Sequence, residues 1–146
     1  MQTKHQKDLR KGRVSLPNQI YHIATSTNNR TPIFNDIAAA RALIQTLQKS
    51  DALNFTHTLA FVVMPDHLHW LMQLNSGATL AGVIKNIKSQ SAKAIGQPIW
   101  QQGYYDHAIR KDEDIQNIAR YIVANPIRAG LVTKIGDYSH WDAVWL

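Results

Sequence analysis

The 146-residue sequence predicts an α+β fold, with an antiparallel sheet and helices packed on one of its faces. Three observations support this. Short runs in which apolar and polar residues alternate are typical of half-buried strands. Other runs carry apolar residues at helical spacing. Together the runs follow the order β-α-β-β-α-β-α, which is the plan of a ferredoxin-like sheet with an added C-terminal helix. The length suits a single domain over residues 1–146.

The first strand and helix lie between residues 19 and 49. The run QIYHIATS, residues 19–26, alternates as a strand does. Its two faces carry Ile20, His22 and Ala24 on one side and Tyr21 and Ile23 on the other. Asn35 or Asp36 can cap a helix that continues through Lys49. The apolar stripe of this helix consists of Ile37, Ala40, Leu43, Ile44 and Leu47.

A hairpin of two strands is predicted next, over residues 55–64 and 67–74, with a turn at Pro65 and Asp66. Side chains of a strand alternate between its faces, which fixes what each face of the second strand carries. Leu68, Trp70, Met72 and Leu74 form an apolar face for the core. The opposite face carries His67, His69, Leu71 and Gln73.

A second helix is predicted from a Thr79 cap to about Ile95, where Gly96 ends it. Lys85 and Lys93 point away from its apolar face, and Lys88 lies at the margin of that face.

The last predicted elements are a strand within WQQGYYDHAIR, residues 100–110, and a third helix from Asp112 to Asn125. Pro126 ends this helix, because proline disfavours helical geometry in the residue before it. The buried face of the helix consists of Ile115, Ile118, Ala119 and Ile122.

Charge and composition limit the function classes. The chain has a net charge of +6 and no cysteine, which excludes disulfides, thiolate metal sites and a cysteine nucleophile. No apolar run reaches the roughly 18 residues that span a bilayer, and no secretory signal is recognisable, so we expect a cytoplasmic protein without membrane contact. The first thirteen residues carry a net charge of +4, which fits either phosphate contact or a solvated tail. The basic residues of this N-terminal arm are Lys4, Lys7, Arg10, Lys11 and Arg13.

Two pairs of polar residues are candidate functional groups. His67 and His69 lie on one face of their strand, about 7 Å apart between Cα atoms, where two imidazoles can chelate a divalent ion. On spacing alone they can equally be surface or hydrogen-bonded histidines. Tyr121 and Asn125 are four residues apart on the third helix and therefore neighbours on one flank. They fit either a packed tyrosine beside a helix terminus, or a nucleophilic hydroxyl beside an amide ligand.

The strand motif HLH, the helix motif YIVANPIRAGLV and the opening RKGRVSLPNQIYHIATSTNNRTPIF together resemble the HUH single-tyrosine transposases. The likeness is greatest to the bacterial REP-associated tyrosine transposases, through WQQGYYDHAIR followed by the helix motif, and it covers residues 10–141. The resemblance implies that Tyr121 is the nucleophile and that His67, His69 and Asn125 bind Mg²⁺ or Mn²⁺.

The same resemblance implies cleavage and rejoining of single-stranded DNA at hairpin-forming palindromic repeats, through a 5′-phosphotyrosine and a free 3′-hydroxyl. The protein would act as a monomer or a homodimer. Cationic side chains that could hold such DNA are those of the N-terminal arm together with Lys85, Lys88, Lys93, Arg110 and Arg128. Two alternatives stay open: a non-catalytic nucleic-acid-binding domain with a ferredoxin-like sheet, and a metal-dependent hydrolase in which water is the nucleophile.

Overall fold

A computed structural model describes residues 18–110 and 113–144. In this part of the chain five strands form one antiparallel sheet in the order β4-β1-β3-β2-β5. The strands are β1 (Ile20–Ser26), β2 (Thr56–Met64), β3 (His67–Leu74), β4 (Tyr105–Ala108) and β5 (Trp141–Ala143). The helices are α1 (Ile37–Ala52), α2 (Leu80–Ile95), α3 (Ile115–Val123) and α4 (Asn125–Arg128). The predicted α+β fold is confirmed, and the predicted order β-α-β-β-α-β-α is observed from β1 to α3, with α4 and β5 following it.

The central strand β3 separates two apolar layers. Its even-numbered side chains are fully buried on the face that α1 and α2 cover. Trp70 is the largest of them, and its indole N–H donates to the Thr58 hydroxyl at 2.9 Å, so burying this polar group leaves its donor satisfied. This face holds the main core of the molecule.

The other face of β3 carries the histidines, and α3 packs against part of it. Leu71 is buried there among Ala119, Ile122 and Val123 of α3. The sheet therefore has two helices on one side and α3 on the other. We call the α3 side the histidine face, defined by His67, His69, Leu71 and their same-side neighbours.

The predicted starts of the first two helices, α1 and α2, agree with the structure. Asp36 caps α1 by accepting from the Ala38 N–H at 2.9 Å, and Thr79 caps α2 by accepting from Gly82 at 3.1 Å. The prediction was wrong for Ile37, whose side chain is 57% exposed in the first turn of α1. No helix in the described ranges has the length and apolar character needed to cross a membrane.

The C-terminal helix differs from the predicted one. It begins after a cap at Asp114 and ends at Val123, and Asn125 starts the separate short helix α4. The prediction of a single helix that ends at Asn125, immediately before Pro126, was wrong. Proline is tolerated in the first turn of a helix, where its missing N–H has no partner to lose, so α4 begins around it.

Strand β5 was not predicted. It spans three residues and pairs with β2 at the edge of the sheet, and so short a segment has no recognisable alternation. The candidate strand at residues 100–110 is also shorter than expected, because only Tyr105–Ala108 pairs with β1.

The packing of α3 against the sheet gives a testable expectation. Ile122 is fully buried, so Ile122→Ala should lower the free energy of unfolding by about 2–5 kcal/mol through lost burial and a residual cavity. Ile127 on α4 is 40% exposed, and Ile127→Ala is the matched control with an expected loss below about 1 kcal/mol. Urea unfolding of both variants measures the difference, and equal losses would contradict this packing.

Candidate active site on the histidine face

The side chains of His67 and His69 lie together on the histidine face. Their ring centroids are 5.0 Å apart and the rings are nearly perpendicular. Both side chains are half-buried rather than free in solvent. The expected pairing of the two imidazoles on one face of β3 therefore holds in the structure.

Asp66 anchors His67. Its carboxylate lies 2.7 Å from the His67 Nδ1 and also accepts from the Arg30 Nε at 2.9 Å. Burial raises the pKa of the Asp66 carboxyl, but the bonds and positive charges of His67 and Arg30 outweigh this and bring it below its usual range. Asp66 is thus an ionised acceptor, and the His67 Nε2 is directed away from it.

A histidine of the first strand contacts His69. His22 Nε2 lies 3.0 Å from His69 Nδ1, and the two ring centroids are 5.2 Å apart. His22 is opposite Leu71 in the β1–β3 ladder, which makes His69 its diagonal neighbour on the same face. The two expected imidazole ligands, His67 and His69, therefore each have a partner at Nδ1: Asp66 for the first and His22 for the second.

The site favours neutral imidazoles. Burial, followed by the nearby His67, His22 and Arg128, lowers the pKa of His69 to about 3. Burial and then His107 lower the pKa of His22 to about 4. Burial also lowers the pKa of His67, although Asp66 opposes this. At neutral pH these rings consequently keep the unprotonated nitrogen that a metal ligand needs.

Tyr121 is exposed beside an arginine. Its ring is 63% accessible to solvent, and the Arg128 guanidinium carbon lies 3.8 Å from the ring centroid. This is a stacking distance for a planar cation on an aromatic face. Arg128 also contributes to the low pKa of His69, so the same side chain that contacts Tyr121 acts electrostatically on one of the two histidines.

Asn125 is held by the helix break. Its side-chain Nδ2 donates to the Ile122 carbonyl at 2.7 Å. In a continuous helix the N–H of residue 126 would donate to that carbonyl, but Pro126 has no N–H. The amide nitrogen of Asn125 replaces it, which orients the side chain and leaves Oδ1 as the ligand-type atom.

These donors fit a divalent ion in number and kind. The described residues contain no group of three or more His, Cys, Asp or Glu side chains that could hold a metal. The expected set does not need one, because it consists of two imidazoles and one amide oxygen. Imidazole nitrogen and amide oxygen are ordinary ligands for Mn²⁺ and Mg²⁺ when water and phosphate complete the coordination.

Comparison with protein families identifies the relationship. Residues 15–125 match the model of the family described as IS200-like transposases. The match spans both histidines of β3, Tyr121 and Asn125. The chain belongs to the IS200-like transposase family.

Individual members of this transposase family confirm the resemblance drawn from the motifs. A REP-associated tyrosine transposase of Escherichia coli is 35% identical over 81 residues, which are 54% of this chain and 49% of that protein. A protein of Haemophilus influenzae, named provisionally as one of the same group, is 30% identical over 99 residues, 57% of this chain and 56% of its own length. The chain thus matches about half the length of these curated relatives.

A solved structure extends the likeness to the fold. It is described as a REP-associated tyrosine transposase bound to a REP hairpin, and it is 25% identical to this chain. The TM-score is 0.72, and the alignment covers 88% of this chain and 79% of the other. The likeness covers most of the fold.

The cationic residues expected to hold DNA are not all near the histidine face. Lys85 and Lys93 are exposed on α2, which covers the opposite face of the sheet. The Lys88 ammonium donates to the carbonyls of Gln101 and Gly103, which anchors the segment before β4. Those three positions therefore lie apart from Arg128, the one described candidate that contacts Tyr121.

Arg110 lies at the end of β4, near the start of α3. Its backbone N–H donates to Glu113 at 2.8 Å, and Glu113 also lies 3.1 Å from the His107 Nε2. This bonding joins β4 to the loop before α3 and gives His107 a structural contact that the sequence did not reveal. The N-terminal arm lies outside the described residues.

Sequence reasoning missed three contributors to the site: His22, Arg30 and the orienting role of Asp66. Alternation in QIYHIATS does place His22 on the face opposite Tyr21 and Ile23, but only the pairing of β1 with β3 brings it to His69. Strand pairing is set by the whole sheet, and no local signal in the sequence reports it.

The low pKa values of the buried histidines predict acid sensitivity of the metal-free protein. In the unfolded chain these histidines have a pKa of about 6.5 and bind protons below that pH. In the folded protein the pKa is about 4 for His22 and about 3 for His69, so protonation there requires a much lower pH. Stability should therefore fall as the pH drops from 6.5 to 5, by up to about 2 kcal/mol for each of these histidines. Urea unfolding in EDTA at several pH values measures this loss.

The control for this pH dependence is the exposed His57. His57→Gln should keep the full wild-type loss, whereas His69→Gln should reduce it clearly. A stability that stays constant from pH 7 to pH 5 would contradict the buried, neutral state of these rings.

Proposed function

We propose that this protein cleaves and rejoins single-stranded DNA beside hairpin-forming repeats, with Tyr121 as the nucleophile. One observation carries the proposal: an exposed tyrosine ring is stacked on Arg128, whose charge also acts on His69. Membership of a transposase family supports the reaction class. The hairpin bound to the related solved structure supports the choice of substrate.

The nucleophile needs help from its surroundings. A tyrosine hydroxyl has a reference pKa of about 10 and is a poor nucleophile near pH 7. Its attack also brings a negative oxygen to a negative phosphate. The Arg128 guanidinium, fixed over the Tyr121 ring, is placed to offset the charge that develops on the phenolic oxygen and the phosphate.

The proposed step conserves bond energy. A bond forms between the Tyr121 oxygen and phosphorus while the bond from phosphorus to the 3′-oxygen breaks. The phenolic proton passes to water, and the leaving 3′-oxygen takes a proton from water and becomes a hydroxyl. Because the phosphodiester survives as phosphotyrosine, attack by a 3′-hydroxyl reverses the step and joins strands without ATP.

The residues that would hold the divalent ion are His67, His69 and Asn125, through two imidazole nitrogens and an amide oxygen. When bound, Mg²⁺ or Mn²⁺ would withdraw charge from the scissile phosphate and help to align it. These three ligands are uncharged, so they leave the full double charge of the ion for a polyanionic substrate.

DNA contact is proposed at two described cations, Arg128 and Arg110. Arg128 is fixed over the Tyr121 ring, and Arg110 lies at the β4 end that leads into α3. The N-terminal arm remains a further candidate because of its net charge of +4. Lys88 is better explained as an anchor for backbone carbonyls.

Tyr121→Phe should lower strand cleavage by at least about 1,000-fold, because it removes the attacking oxygen and leaves the ring. Folding and hairpin binding should persist. The substrate is a hairpin with a single-stranded flank, labelled at the 3′ end in one sample and at the 5′ end in another, and incubated with Mn²⁺. On a denaturing gel the 3′ label should shift with the protein, whereas the 5′ label should run as a free fragment.

Tyr105→Phe is the matched control, since this tyrosine also borders the histidine face, and it should cleave normally. An adduct that persists in the Tyr121→Phe protein would contradict the assignment of the nucleophile. Cleavage without any adduct would instead favour a hydrolase that uses water.

Removal of the metal should separate binding from cleavage. EDTA should stop cleavage while a gel shift shows hairpin binding largely intact, and added Mn²⁺ should restore cleavage. His67→Ala should reduce Mn²⁺-dependent cleavage by more than about 100-fold, since loss of even an outer-shell partner typically costs 10–100-fold. The exposed His57→Ala is the control, and cleavage that is equal with and without EDTA would refute the metal role.

A further inference from the structure

His22 is a histidine of this face that the proposed reaction does not use, as is His107, its partner in the β1–β4 ladder. It lies on β1, next to the central strand, and its ring is half-buried between His69 and the edge of Tyr105. The Tyr105 ring meets it in an edge arrangement with centroids 5.7 Å apart. His22 therefore has a fixed position, and its Nε2 faces the Nδ1 of His69 at 3.0 Å.

A hydrogen bond between two imidazole nitrogens contains one proton, so it has two possible directions. If His22 donates, the His69 Nδ1 accepts and the proton of neutral His69 must lie on Nε2. That nitrogen then cannot bind a metal. If His69 donates from Nδ1, its Nε2 keeps a lone pair for a ligand.

We propose that His22 is the positioning residue of His69: its Nε2 accepts the Nδ1–H of His69 and thereby fixes the tautomer and ring angle needed for metal binding. This inference rests on the proposed function, because it assumes that His69 is a ligand. Ligand histidines usually donate their second N–H to an acceptor, which orients the ring and raises its basicity. His22 supplies that acceptor.

The neighbouring ligand shows the same arrangement with a different acceptor. His67 Nδ1 faces the Asp66 carboxylate at 2.7 Å, and an ionised carboxylate can only accept. In both histidines Nδ1 is thus engaged in a hydrogen bond, and both Nε2 atoms remain available to bind one ion. The agreement between two independent contacts favours the direction in which His69 donates.

Charge explains why the second acceptor is an imidazole. Asp66 is already paired with Arg30 at 2.9 Å, so that side of the site is close to neutral. Within the described ranges His22 contacts His69 and Tyr105, neither of which is a cation. A second carboxylate at this position would therefore stay unpaired and would repel the phosphates of a DNA strand. A neutral ring orients His69 without this cost.

The experiment compares His22→Phe, which keeps a ring but removes the acceptor, with His22→Gln, whose amide oxygen can accept at similar reach. Calorimetric titration with Mn²⁺ alone should give a 10–100-fold weaker affinity for His22→Phe and substantial recovery for His22→Gln. His57→Phe is the matched control on an exposed histidine and should bind as the wild type does. Thermal melting checks that all variants fold.

A second readout does not depend on the metal. Nitrogen-15 NMR of the histidine rings in EDTA should find the His69 proton on Nδ1 in the wild type and on Nε2 in a larger share of His22→Phe molecules. A wild-type protein with this proton on Nε2 would overturn the proposal, and so would equal Mn²⁺ affinities of wild type and His22→Phe. No Mn²⁺ binding by the wild type would overturn the metal site itself, and with it the role of His22.

Discussion

The alternation of side chains along β3 is the constraint on which the rest of this molecule depends. The strand is central in the sheet, and its two faces have opposite tasks: one closes the main core, and the other presents the histidines. A shift of register by one residue would bury His67 and His69 in that core and expose Trp70. Because β1 and β2 pair with β3 on either side, the register of both neighbours follows from the same alternation.

Most of the fold could be predicted from the sequence because its signals are local. Alternation, helical spacing and capping residues located four strands and the main helices, as the caps at Asp36 and Thr79 illustrate. The break between α3 and α4 at Ala124 could not be predicted. It depends on where α3 ends against the sheet, while Pro126 lies in the first turn of α4. Strand β5 was not predicted because its three residues show no strand pattern of their own. It is a strand only through its pairing with β2.

The candidate site likewise has a part that the local sequence predicts and a part that depends on the assembled sheet. Spacing alone placed His67 beside His69, and the family resemblance suggested the roles that we propose for Tyr121 and Asn125. The contacts that orient these groups come from elsewhere in the chain: His22 from β1 and Arg30 from the loop after it. Such contacts join residues more than thirty positions apart, so only the assembled sheet brings them together.

The bond between Asn125 and the Ile122 carbonyl has a consequence for how changes near the C-terminal helices should be interpreted. Pro126 has no backbone N–H, so it cannot donate to the Ile122 carbonyl as another residue would in a continuous helix. The Asn125 side-chain amide donates to that carbonyl instead. A substitution at position 126 should therefore change the orientation of the Asn125 amide, whose oxygen we propose as a metal ligand, as well as the stability of the helix. Pro126 would then influence the proposed metal site through the orientation of its neighbour, although it carries no reactive side chain itself.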